Sequence, residues 1–74
     1  MEEEFISTED KIHMTRQFIK NLAYNRFNIE LSLLAENAVA IPNQNNVDSF
    51  TLQLQEVDDK ISALQEELTT LEGE

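Results

Sequence analysis

The feature that most constrains the fold of this chain is an uninterrupted heptad pattern over residues 47–71. Apolar residues recur there at alternating steps of three and four, at Val47, Phe50, Leu54, Val57, Ile61, Leu64, Leu68 and Leu71. These are the a and d positions of a coiled coil, with Val47 at a and Phe50 at d. An isolated helix cannot bury such a seam, so the pattern predicts a helix that needs a partner helix.

The region before this seam is also predicted to be helical, because it contains no glycine or proline between Thr8 and Asn37. Ser7 and Thr8 offer N-cap oxygens ahead of two acidic residues, which favours a start near Thr8. One apolar stripe consists of Ile12, Ile19, Leu22, Ile29 and Leu33, with Thr15 and Arg26 in the remaining seam positions. A second stripe, offset by roughly 60–80°, consists of Ala23, Phe27, Leu34, Ala38 and Ile41, with Leu31 at its edge. One partner helix covers only one stripe, so this helix is expected to have two or more neighbours.

A short polar connection around Pro42 is predicted to join the two helices. Proline disfavours helical geometry at Ile41, Asn37 can adopt a left-handed C-terminal conformation, and Asn46 can cap the second helix. One glycine and one proline in 74 residues provide too few turns for an all-β fold. The expected fold class is all-α. It is a two-helix antiparallel, coiled-coil-like hairpin in a single domain over residues 1–74, with helices at about 8–37 and 47–72 and a loop at 38–46.

The distribution of charge supports the antiparallel arrangement. Residues 11–29 carry four basic residues and no acid, whereas residues 48–74 carry eight acids and one lysine. Folding back at Pro42 is expected to place Arg16 and Lys20 near Glu66 and Glu67, and Arg26 near Asp58 and Asp59. Exposed pairs of this kind contribute under about 1 kcal/mol each, so the pattern selects the orientation more than it adds stability.

Composition argues against several classes of function. The chain has no cysteine and one histidine, and it lacks a Gly-rich phosphate loop, so we expect no enzyme, no cofactor and no metal. His13 follows Glu9 and Asp10 at helical metal-site spacing, but an exposed surface histidine is the simpler interpretation. The net charge of −10 disfavours nucleic acid and anionic membranes as direct partners. An acidic start and the lack of an apolar run of about 18 residues predict a soluble, cytoplasmic protein.

Two polar features of the first helix leave alternatives open. Arg26 and Glu30 project into its apolar arc, either with packed stems and solvated heads or as a buried pair that fixes the register between subunits. An uncharged amide ridge lies on the other side of the helix and is either a solvent face or a surface that a partner covers. This ridge consists of Gln17, Asn21, Asn25, Asn28 and Ser32.

The leading functional hypothesis is a non-catalytic interaction or assembly module that self-associates, most simply as a dimer forming a four-helix bundle, or as a higher oligomer. Such a module could be a subunit or accessory protein of a larger particle such as a virus. The alternative is an acidic inhibitor that mimics nucleic acid and covers a basic cleft on a partner protein, using Glu56, Asp59, Glu66, Glu67 and the acidic amino terminus. The predicted interface residues are Ile12, Ile19, Leu22, Arg26, Phe27, Ile29, Glu30, Leu33, Leu34, Phe50, Leu54, Val57, Ile61, Leu64, Leu68 and Leu71.

Overall fold

Two long helices packed against each other make up the fold. A computed structural model describes residues 5–73, with α1 at Thr8–Asn37 and α2 at Gln44–Glu72. Ion pairs join Arg16 to Glu72 and Arg26 to Asp58, so the helices run antiparallel. The hairpin is a rod of 61 × 18 × 14 Å, and residues 5–73 contain no strand. The predicted antiparallel hairpin is confirmed. Residues 1–4, which include the three glutamates of the acidic amino terminus, and Glu74 lie outside the described residues.

Side-chain caps explain where each helix begins. The Ser7 hydroxyl accepts a hydrogen bond from the Asp10 amide at 3.0 Å, and α1 begins at Thr8 as predicted. The Asn43 side chain accepts from the amides of Asn45 at 2.9 Å and Asn46 at 3.3 Å. The second helix therefore begins at Gln44, three residues earlier than predicted. Asn43 is its cap, and the prediction that Asn46 would cap it is wrong.

Residues 38–43 connect the helices without a left-handed conformation. The C-cap of α1 is Ala38, with φ −81° and ψ −15°, and none of the described residues has a positive φ. The predicted left-handed Asn37 is thus wrong. The turn is closed instead by Glu36, whose carboxylate accepts from the Asn43 amide at 2.9 Å and from the Asn46 side chain at 3.1 Å. These bonds tie the end of α1 to the start of α2.

The core is one thin layer between the two helices. All eight heptad residues of α2 are buried or half-buried, and so is the first stripe of α1 together with Thr15 and Arg26. Ile29, Val57 and Leu71 are the most buried side chains. The first stripe therefore faces α2, which the sequence left undecided. The Thr15 hydroxyl donates to the Lys11 carbonyl at 2.7 Å, so this polar group in the seam has a hydrogen-bond partner.

Candidate interaction surface

A cluster of three charged side chains joins the two helices near the middle of the hairpin. Arg26 donates from Nε to Asp58 Oδ1 at 2.6 Å, from Nη2 to Asp58 Oδ2 at 3.3 Å, and from Nη1 to Glu30 Oε2 at 2.5 Å. The bonds to Asp58 and Glu30 raise the pKa of Arg26, and the bond from Arg26 lowers the pKa of Asp58. All three heads reach solvent. Within one hairpin, Arg26 and Glu30 are thus a partly exposed group that bonds to Asp58.

The predicted charge pairing is correct for Arg26 and wrong for the other two basic residues. Arg16 pairs with Glu72, not with Glu66 or Glu67. Arg16 and Glu72 lie on the same edge of the antiparallel seam, whereas Glu67 borders its other edge and Glu66 lies on the outer side of α2. Lys20 lies on the outer side of α1, where its ammonium stands 5.9 Å from the centre of the Tyr24 ring. Among the described residues, Lys20 forms no ion pair with α2.

The outer side of α1 carries a second heptad pattern that α2 leaves uncovered. We call it the outer stripe: Tyr24, Phe27, Leu31, Leu34 and Ala38, at alternating steps of three and four. Tyr24 is 62% exposed, Phe27 59%, Leu31 46% and Leu34 67%. At ~100° per residue its centre lies roughly 130° from the stripe that faces α2, which is wider than predicted because the outer stripe includes Tyr24 and leaves out Ala23 and Ile41.

Uncharged side chains border this stripe on one side. The amide ridge predicted from the sequence is exposed, and its Asn21 and Asn28 lie next to the outer stripe. Gln17 donates to Asn21 Oδ1 at 3.2 Å, and Ser32 donates to the Asn28 carbonyl at 3.1 Å. On the other side lie Ala23, Glu30 and Asn37. Glu30, already bonded to Arg26, is the one acidic residue of that border.

The structure divides the predicted interface residues into two groups. Phe27, Glu30 and Leu34 remain exposed on α1. The remaining thirteen are brought together in the seam between the helices: Ile12, Ile19, Leu22, Arg26, Ile29 and Leu33 from α1, and Phe50, Leu54, Val57, Ile61, Leu64, Leu68 and Leu71 from α2. Sequence reasoning missed Tyr24, although it lies one heptad before Leu31. It also missed Glu36, a polar residue at the last seam position of α1.

Carboxylates dominate the outer side of α2. Glu56, Asp59, Glu66 and Glu67 are exposed, and none forms an ion pair with another of the described residues. Leu52 is the one large apolar residue on this side, 57% exposed. The two outer faces of the rod therefore differ in chemistry, because α1 presents apolar and amide groups together with Lys20, while α2 presents mainly acids.

Residues 5–73 contain no cluster of three potential metal ligands and no pocket. His13, Glu9 and Asp10 are exposed on the first turns of α1. Neither helix, over the part described, is long and apolar enough to cross a membrane. Comparison with known proteins found no matching protein family, no matching curated protein and no matching solved structure.

Proposed function

We propose that this chain is a non-catalytic interaction and assembly module that self-associates through the outer stripe of α1. Its simplest form is a dimer of hairpins, which brings four helices together. The observation that supports this proposal is the uncovered heptad pattern on α1, because heptads of apolar residues are the pattern by which helices recognise other helices.

Energetics favour covering this stripe. Tyr24, Phe27, Leu31 and Leu34 lie close together with about half or more of each side chain in water. Complete burial of a large apolar side chain stabilises by about 1.5–3 kcal/mol, and the exposed fraction of that gain is recovered only on association. A contiguous apolar patch bordered by polar residues is typical of a protein interface.

The thin core of the single hairpin is a second reason to expect self-association. Small helical domains without disulfides or metals often gain stability by oligomerising, and this chain has no cysteine.

The distribution of charge indicates which surface two copies would use to associate. Two copies of a chain with a net charge of −10 repel each other, so contact is least unfavourable where carboxylates are fewest. That surface is the outer side of α1.

Self-association is tested by sedimentation equilibrium combined with thermal melts at several protein concentrations. The wild-type chain should have twice the monomer mass of 8.5 kDa, and its melting temperature should rise with concentration because association stabilises by mass action. Leu34→Glu should give a helical monomer. Leu52→Glu is the matched control, since Leu52 is similarly exposed on the other helix, and it should remain dimeric. A wild-type monomer with a concentration-independent melt would refute the proposal.

A second function is supported by the four outward carboxylates of α2, which no cation among the described residues neutralises. A basic cleft that normally holds nucleic acid would attract such a surface. In this alternative the protein is an acidic inhibitor, and Glu56, Asp59, Glu66 and Glu67 contact the partner.

A further inference from the structure

We propose that the occupant of the outer stripe is the α1 helix of a second copy, running antiparallel, with Leu31 of each chain opposite Leu34 of the other. This inference rests on the proposed self-association and adds its geometry. The contact has two-fold symmetry about a point between residues 32 and 33, so the same residues face each other twice.

Side-chain sizes match in this arrangement. An antiparallel coiled coil sets the a-type positions of one helix against the d-type positions of the other. In this register Phe27 lies opposite the partner's Ala38, so the largest side chain of the central stripe meets the smallest. Tyr24 reaches the partner's connection, where Ile41 is 88% exposed. The register therefore covers the whole outer stripe and the most exposed apolar residue of the connection.

Charges at the border are also compatible with this register. In an antiparallel pair of identical helices, the residues along one edge of the contact face residues of the same edge on the partner helix. Glu30 then lies beside the partner's Asn37, whose amide can donate to the carboxylate, and Asn28 lies beside the partner's Ala35. No carboxylate on the outer side of α1 faces another carboxylate.

Competing arrangements are less favourable for identifiable reasons. A parallel in-register pair would set Lys20 against the partner's Lys20 and the two Phe27 side chains against each other. An antiparallel pair shifted by one heptad toward the amino terminus would bring the two Glu30 carboxylates together and leave Ile41 uncovered. Like charges that face each other destabilise an interface, so charge selects both the direction and the register.

A charge-exchange experiment tests this geometry on the full chain. Leu31→Glu and Leu34→Lys should each weaken self-association by roughly 100-fold or more, because each homodimer would bury two charges against leucine. An equimolar mixture of the two variants should associate at least about tenfold more tightly than either variant alone. In the mixed dimer the introduced carboxylate faces the introduced ammonium, and the second contact keeps its native leucine pair. Sedimentation velocity measures the association, and circular dichroism checks that both variants remain helical.

Matched controls are Leu52→Glu and Leu52→Lys, which add the same charges on α2 and should leave the dimer intact. If either leucine variant unfolds, a second pair of variants tests the same register. These are Phe27→Glu and Ala38→Lys, mixed in equal amounts, with both leucines unchanged. Wild-type dimers without recovery in either mixture would refute the antiparallel register while leaving self-association standing. A wild-type monomer would refute both proposals.

Discussion

Glu36 shows how one carboxylate can organise a turn. It occupies the last seam position of α1, where a coiled coil would place an apolar residue, and its oxygens accept from the Asn43 amide and the Asn46 side chain. These two bonds lower the pKa of Glu36, and the bond from the Asn43 backbone amide has the larger effect. A group whose pKa is lower in the folded state favours folding above its unfolded pKa. That contribution disappears as the pH falls through the folded pKa.

Acid should therefore weaken the hairpin partly through this residue. As the pH falls below roughly 4.3, the ordinary pKa of glutamate, the melting temperature of the wild-type chain should fall. Glu36→Gln should make this fall shallower, because its side chain no longer titrates. Glu56→Gln removes the same charge from an exposed position that has no ion-pair partner among the described residues, so it should keep the wild-type slope. Equal slopes for all three proteins would contradict the role given to Glu36.

At the scale of the elements, the heptad pattern was sufficient to predict α2 and its need for a partner helix. It could not decide which stripe of α1 faces α2, since both stripes have the correct spacing. The structure suggests a physical reason. The first stripe runs along α1 from Ile12 to Leu33, whereas the outer stripe begins only at Tyr24, so a partner of 29 residues buries more against the first.

The start of α2 was missed for a different reason. Asn43, Asn45 and Asn46 can all serve as caps, so local propensity does not distinguish among them. The choice depends on Glu36, which accepts from the Asn46 side chain and leaves Asn43 to cap the helix. That contact joins two helices and is not visible in a local pattern. The outer stripe was partly predicted, but its full extent required the exposures of Tyr24 and Leu31.

The α2 seam should be far more sensitive to charge than the outer side of the same helix. Ile61→Asp places a carboxylate in the single layer of core, which should cost about 3 kcal/mol or more and unfold so small a domain. Leu52→Asp makes a comparable change on the solvent side and should shift stability by no more than about 0.5 kcal/mol. Circular dichroism at 222 nm during urea unfolding distinguishes them. Similar midpoints for the two variants would show that the layer between the helices does not hold the hairpin together.

The whole molecule is a rod with two chemically different long faces, which allows the two candidate functions to be separated. The outer side of α1 can bind by apolar burial, and the outer side of α2 can bind through carboxylates. Exposed charges are screened over a Debye length of about 10 Å at 0.1 M salt, whereas apolar burial is not weakened by salt. Salt therefore distinguishes which face a partner uses.

Replacing Glu56, Asp59, Glu66 and Glu67 together by glutamine gives the decisive variant, because all four positions avoid the seam and the helices should remain intact. If the outer stripe carries function, the variant should dimerise within a few-fold of wild type, and dimers should persist from about 0.1 to 1 M NaCl. Aspartate at Leu34 should abolish dimers. An acidic inhibitor would behave differently, because its partner, captured from a native extract at low salt, would be released by salt and competed away by DNA or RNA. Loss of such a partner on the four glutamine substitutions, with helicity unchanged, would make the carboxylate face of α2 the functional one.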